Sequence, residues 1–441
     1  MARDRGTIIA LSGVVLLVAT LVISGALAPQ RTVEATETTE TTETLIGVQG
    51  AGAGFHESGN VQLRNGSEQV WERTDADSYF EVEQLGDGSV VAAFIDGGYQ
   101  DCGDFESPCP RTGYRVVEPG ADGSVLSEWT FPVRNKKDSE LHAVEPLPDG
   151  GFAVVDMDAE RLAVVENGTV AWEWTADEFY EAPPDPTLVD WLHMNDVDYI
   201  GDDRFLLSVR NANQILVIER PTGVVEVINE DRGVGSEESC RTDGELVDYD
   251  DDGEVRCGNP DLIHRQHNPQ WLGNGSVLVA DSENDRAVEL HRGANGTWQE
   301  VWSLERAGGL ALDWPRDADR LPSGHTLVSD TFNKRVVEID ENGTVVWSVG
   351  LEENPYEVDR LPVGEQTDVP TYGDGESAAG DDSGTAASDG GDVPVLTTLV
   401  VALHSGIPGL PYWVGELQVL GTLVSLGLVG AGLVVRYRDG S

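Results

Sequence analysis

Residues 267–275 read HNPQWLGNG, and the same outline recurs five more times. It appears as FEVEQLGDG from Phe80, HAVEPLPDG from His142, NDVDYIGDD from Asn195, RDADRLPSG from Arg316 and YEVDRLPVG from Tyr356. In chain order the third position is Val, Val, Val, Pro, Ala and Val, and the sixth is always Leu or Ile. The middle turns are followed by β-rich runs such as FAVVD, FLLSV, SVLVAD and HTLVSD, and then by hairpins such as RVVEIDENGTVVWSVG. Short apolar runs punctuated by tight turns predict four antiparallel strands per unit. Units of roughly forty to seventy residues built this way are propeller blades. The expected fold is therefore all-β, a six-bladed β-propeller.

The two ends of the repeat region predict how the ring closes. The repeat at Tyr356 supplies one strand before an acidic stretch, whereas LIGVQG (45–50) and NVQLRNGSEQVWE (60–72) resemble later strands of a blade. N- and C-terminal strands would then share the last blade and leave no free sheet edge. The propeller is placed at residues 45–364.

Outside it, residues 7–28 form an apolar segment long enough to cross a bilayer, and residues 413–435 form a second. The first is read as an uncleaved anchor; a cleaved signal peptide ending at Ala26–Ala28 is the other reading. A Thr/Glu-rich linker (29–44) and a flexible acidic one (365–392) join these segments to the ring, and 393–412 is read as lying on a membrane surface. Arg3, Arg5, Arg436 and Arg438 flank the spans, so the 1–6 terminus and the 436–441 tail are expected in the cytoplasm and the propeller outside the cell.

A net charge of -51, from 79 acidic against 28 basic residues, excludes a general nucleic-acid binder, because phosphates would be repelled. Such a surface suits a halophile, where salt screens self-repulsion. Cys102 with Cys109, and Cys240 with Cys257, are expected as local disulfides, in keeping with an external location. The sequons at Asn65, Asn167, Asn274, Asn295 and Asn342 also read as hairpin turns.

The first position of the six repeats is Phe80, His142, Asn195, His267, Arg316 and Tyr356. His193 lies two residues before Asn195, Arg210 follows on the next strand of that unit, and His264 and Arg265 precede His267. The first strand of a blade lines the central channel, so these groups are expected to form an anion-handling ring with the valines two residues deeper on the same face. Arginine offers a planar fork to sulfate or phosphate, and neutral imidazole can attack or exchange protons. Arg210 and Arg316 would repel a divalent cation, so no metal is expected there. A calcium-loop spacing, Asp248, Asp250 and Asp252 in DYDDDG, stands apart and lacks its closing glutamate.

With its H-x-N and following arginine, DWLHMNDVDYIGDDRFLLSVRNANQILVI resembles the arylsulfate sulfotransferases of the bacterial periplasm, and QHNPQWLGNGSVLVADSENDRAVEL is similar to that family's later histidine-containing blade. The resemblance, joined to the acidic composition and the two apolar spans, suggests a haloarchaeal, membrane-anchored member, although such spans depart from the family's pattern. It implies six blades and cofactor-free transfer of a sulfuryl group between phenols through a sulfohistidine, so the partners would be an aryl sulfate and a phenol. By the same resemblance His267 takes the sulfuryl group, His193, Asn195 and Arg210 hold sulfate oxygens and stabilise charge, and His142 is a further active-site histidine. Arg316 enters through its repeat position alone, and Phe80, Tyr356 and Trp314 are candidate walls for an aromatic substrate. The competing expectations are a non-catalytic binding propeller and a metal-dependent propeller hydrolase.

Overall fold

The computed structural model describes residues 5–34, 43–52, 55–120, 123–230, 246–248, 255–273, 275–372, 394–407 and 410–440. They divide into two compact units, Arg31–Asp381 and Met1–Gln30 with Asp382–Ser441. The first is a six-bladed β-propeller: six four-stranded antiparallel sheets, five of them with strands in chain order. The inner strands are Ser78–Gln84, Leu141–Pro146, Met194–Gly201, His267–Gly273, Pro315–Arg320 and Asn354–Arg360. The sixth blade is shared by both ends of the chain, as the sequence led us to expect. Its inner strand pairs with Glu43–Gly50 in the register Leu45↔Asp359 and Ile46↔Val358, and Asn60–Asn65 and Glu68–Arg73 complete the sheet.

Apolar residues of adjacent blades close over one another. Val155, Leu162 and Val164 of the second blade, for example, pack with Val197, Phe205, Leu207 and Leu216 of the third. Each side chain of this kind, fully buried, stabilises the fold by about 1.5–3 kcal/mol.

A β-bulge recurs at the start of the inner strands and decides what faces the channel. Leu141 and Ala143 pair with consecutive residues of the next strand, leaving His142 as the extra residue; Asn195 and Arg316 are extra in the same way. The register also slips around Phe80, between His267 and Gln270, and opposite Tyr356. A bulge re-aims side chains, so simple alternation fails across it. This corrects the expectation that the valines share the ring's face. Val82, Val144, Val197, Ala318 and Val358 instead belong to five separate apolar clusters. Acidic residues at the second and fourth repeat positions reach the centre: a cavity of about 80 Å³ is lined by Glu81, Glu145, Asp198 and Glu357, contributed by the inner strands of four blades.

A second repeated device joins strand to strand and blade to blade. Asp156, Asp281 and Asp330 end the second strands of three blades and each accepts from the Nε of an arginine, Arg161, Arg286 and Arg335, at 2.7–2.8 Å. Between them the chain turns through left-handed residues, Glu160, Asp285 and Lys334, with Asn213 equivalent in the third blade. The side chains of Glu160, Asn213 and Asp285 then accept from the backbone N–H of His193, Arg265 and Trp314 in the next blade, at 2.6–2.9 Å. Those three donating residues also have φ near +50°. Holding a non-glycine residue there costs about 1–2 kcal/mol, and the latch offsets that cost.

Cys102 and Cys109 form a disulfide. Cys257 is buried and disulfide-bonded, while Cys240, Asp250 and Asp252 lie outside the described residues, so the second pairing and the calcium loop do too.

The second unit contains helices α1 (Arg5–Leu27), α2 (Pro394–Gly406) and α3 (Glu416–Gly440). α1 and the Glu416–Arg438 part of α3 are long and apolar enough to cross a membrane. They pack closely: a Cβ added at Gly13 would lie 2.6 Å from the Ser425 carbonyl oxygen, and one at Gly432 would lie 2.4 Å from the Ala10 nitrogen.

Candidate active site

Five of the six ring residues make direct contacts around one end of the channel. Phe80 lies 4.6 Å from His142 and 5.5 Å from Tyr356, ring centre to ring centre, and His267 lies 6.0 Å from Tyr356. The Arg316 guanidinium stacks over Trp314 at 3.9 Å and stands 5.3 Å from the Tyr356 ring. Asn195, the sixth, donates through its amide to the Gln266 carbonyl at 2.9 Å, and its own carbonyl accepts from the Tyr356 hydroxyl at 3.2 Å. His193 approaches from the third blade, 5.4 Å from His142. His264 donates its backbone N–H to the structural carboxylate Asp281. Of the HRQH cluster, His267 and the Gln266 carbonyl are seen among the ring contacts.

Arg210 departs from its expected place. It begins a 3-10 turn, Arg210–Ala212, immediately after the strand Arg204–Val209. In three other blades a turn at this place follows the Asp of the Asp–Arg pair, but here Val209 and Gln214 stand at those positions. Arg210 therefore occupies the loop position filled by Ser282 in the fourth blade. Its guanidinium donates to Asn211 Oδ1 at 2.7 Å and lies 3.9 Å from Glu283, which also accepts from the Trp314 indole at 3.3 Å.

The hydrogen bonds assign the histidine tautomers. Ser282 Oγ lies 2.6 Å from the Pro315 carbonyl oxygen, an acceptor only, so its single proton is committed there. At 2.8 Å from His267 Nδ1 it must then accept, which makes His267 the Nδ1–H tautomer and leaves the lone pair on Nε2. The same logic holds for His142, whose Nδ1 lies 2.8 Å from a Tyr356 hydroxyl already donating to a carbonyl. Both Nε2 atoms are buried with no hydrogen-bond partner among the described residues. His193 differs: its Nδ1 is bonded to the Asp190 carboxylate at 2.7 Å, and it is partly open to solvent.

Burial, then the positive charges of Arg316 and Arg210, hold the His267 imidazole well below its ordinary pKa. Burial, then His193 and Arg316, does the same to His142. Burial alone would raise the Asp190 carboxyl, but His193 and then Arg210 more than offset it and keep it below its ordinary value. Arg316 is lowered by burial to about 10 and remains a cation at neutral pH. The site thus offers two neutral imidazoles with free lone pairs, a carboxylate-paired histidine, and two arginines.

Several participants escaped the sequence reading. Asp190 and Ser282 orient histidines. His56 is buried beside Phe80, 3.0 Å from Ser78 Oγ and 2.9 Å from Glu140. Ser282 was detectable by aligning the turn VRNAN with DSEND and DTFNK; His56 belongs to no repeat position and carries no such signal. Phe80 and Tyr356, expected as substrate walls, are wholly buried, and the Tyr356 hydroxyl is committed to His142. A larger cavity of about 680 Å³ lies elsewhere, between outer strands of the third and fourth blades, lined by Val225, Glu226 and Trp298 among others.

Comparison with solved structures returns low-scoring likenesses. A protein of unknown function from Bacteroides caccae is 15% identical with a TM-score of 0.48, covering 72% of this chain and 98% of that one. The periplasmic gluconolactonase of Pseudomonas aeruginosa is 13% identical at 0.39, covering 68% and 80%. An inactive virginiamycin B lyase from Staphylococcus aureus is 11% identical at 0.40, covering 77% and 92%. None bears on the chemistry. No curated protein matches the chain. Residues 135–298, however, match the family model of the arylsulfotransferases (ASST), a span holding His142, His193, Asn195, Arg210 and His267 and supporting a place among those transferases.

Proposed function

We propose that the protein is an aryl-sulfate:phenol sulfotransferase that works through a sulfohistidine at His267, without a nucleotide donor or cofactor. The observation that carries the reading is the Pro315–Ser282–His267 chain of hydrogen bonds, which leaves the Nε2 lone pair of a neutral imidazole exposed to the ring. His267 Nε2 attacks sulfur in line, the S–N bond forms and the S–O bond to the aryl group breaks. Arg210 and Arg316 stabilise the sulfuryl oxygens as charge develops. His193, oriented through Nδ1 by Asp190, gives an Nε2 proton to the leaving phenolate. The second half runs in reverse: neutral His193 takes the proton of the acceptor phenol, whose oxygen attacks sulfur and releases His267. His142 holds a second neutral, unpartnered Nε2 in the same ring.

The substrates are a phenolic sulfate ester and a phenol. The terminal helices anchor the chain in a membrane with the propeller outside the cell and both ends in the cytoplasm, and the acidic surface suits high salt. The test is full-length protein in detergent and high salt, given a chromogenic aryl sulfate with and without a second phenol. Acceptor-dependent release that disappears in His267→Asn is expected. A folded wild type that is inactive across a broad donor panel would favour a binding propeller; chelator-sensitive, acceptor-independent release would favour a metal-dependent hydrolase.

A further inference from the structure

The acidic residues at the second and fourth repeat positions play no part in that chemistry. Glu81, Asp196, Asp317 and Glu357 hold the second position; Glu83, Glu145, Asp198, Asp319 and Asp359 hold the fourth. Of these, Glu81, Glu83, Glu145, Asp198, Glu357 and Asp359 line the cavity of about 80 Å³ together with Glu365, just beyond the last inner strand, and Asp198 Oδ2 is buried there with no hydrogen-bond partner among the described residues. Not one of these ten carboxylates makes an ion pair among the described residues. Some use one oxygen to accept from the backbone of the next blade: Glu81 from Val144 N–H at 3.0 Å, Glu145 from Tyr199 N–H at 3.2 Å and Asp317 from Val358 N–H at 3.0 Å. The other oxygen of Asp317 and both oxygens of Asp319 are buried without any hydrogen-bond partner, although these residues are 0% and 1% exposed. A neutral group repeats the pattern. Asn268, 4% exposed, donates its amide N–H to Glu357, and its amide oxygen is left with no donor.

Acceptors of this number, with few donors and, among the described residues, no paired cation, are costly to bury. Several kcal/mol attach to each uncompensated ion, and burial followed by neighbouring carboxylates raises Glu81, Asp196, Glu357 and Glu365 well above the ordinary range. We propose that this end of the channel binds a hydrated divalent cation of the calcium type. Seven of the lining side chains are carboxylates, the hard oxygen ligands of which calcium takes six to eight, and no sulfur or imidazole side chain lines the cavity to favour a softer metal. A water occupies about 30 Å³, so the cavity has room for an ion with part of its hydration shell. Among the described residues no three acidic groups already surround one point at coordinating distance, so the ion is held partly through its own water.

The experiment uses full-length protein in detergent and high salt, stripped with a chelator and dialysed. Thermal unfolding is followed with added calcium chloride against sodium chloride of matched ionic strength, alongside equilibrium dialysis of calcium. Calcium should raise the Tm by roughly 5 °C beyond matched sodium. The double variant Asp317→Asn, Asp319→Asn should abolish that increment and raise the Tm of the stripped protein by relieving repulsion. Glu365→Gln, at the more exposed edge, tests the same point with less risk to folding and should weaken calcium binding roughly tenfold. Asp250→Asn with Asp252→Asn should leave the increment intact. Equal unfolding in calcium and matched sodium would overturn the proposal. So would an increment lost only in the Asp250, Asp252 variant, which would place the calcium in the 240–257 insert.

Discussion

The histidine end and the acidic end of one channel are written on neighbouring positions of the same six strands, yet their chemistry is opposite. At the first position, cations and imidazoles surround two unpartnered nitrogens. One residue further on, and again two beyond that, the ring is almost wholly acidic. The repeated bulge makes this possible by bringing adjacent positions to the channel, where an uninterrupted strand would send them to opposite faces. The blade framework supplies rigidity, and departures from the repeat supply function. The third blade shows this best, giving up the Asp–Arg pair kept by its neighbours and placing Arg210 in the turn where the fourth blade has Ser282.

The sharpest way to break the comparison is to remove the nucleophile. His267→Asn should lower transfer by roughly a thousand-fold or more while the Tm changes little. Arg210→Ala should cost about a hundred-fold in kcat/KM, measured as initial rates across donor concentrations, because it removes charge stabilisation of the sulfuryl oxygens. Ser282→Ala removes no group from the substrate but frees the His267 tautomer. A drop of about ten-fold in kcat with KM nearly unchanged is expected, as for other groups that orient a reacting histidine.

The smallest effect is on the pH dependence of stability, where the two ends should pull in opposite directions. His142 and His267 stay neutral in the fold, whereas in the unfolded chain they take up protons near pH 6.5. Their contribution is therefore lost as pH falls below about 6.5. The buried carboxyls are raised in the fold, so theirs is lost as pH rises above the ordinary carboxyl range. Tm measured from pH 4 to pH 8, a span of about four units around these ordinary values, should show a shallower acid limb in His142→Gln and a shallower alkaline limb in the Asp317, Asp319 double variant.

Much of the ring was legible in the sequence, because the repeat fixes which residue stands within the first three of each inner strand. The closure by 45–50 and 60–72 was legible for the same reason: unmatched strands at the two ends need partners. The acidic end was present in the same six lines of sequence but was obscured, since a bulge leaves no mark in apolar alternation and position two was assigned away from the channel. Asp190 and His56 were not legible at all. Their roles arise when loops from different blades meet, and no spacing along the chain records that meeting.

The central claim is that a neutral His267 becomes sulfated during turnover. The most direct measurement is peptide mass spectrometry of wild-type enzyme mixed with an aryl sulfate, without acceptor, and quenched rapidly in base. A sulfuryl group on the peptide holding His267, discharged when phenol is added before the quench, is the predicted result. A stoichiometric adduct on His142 or His193 instead, or turnover with no protein adduct at any time, would contradict it.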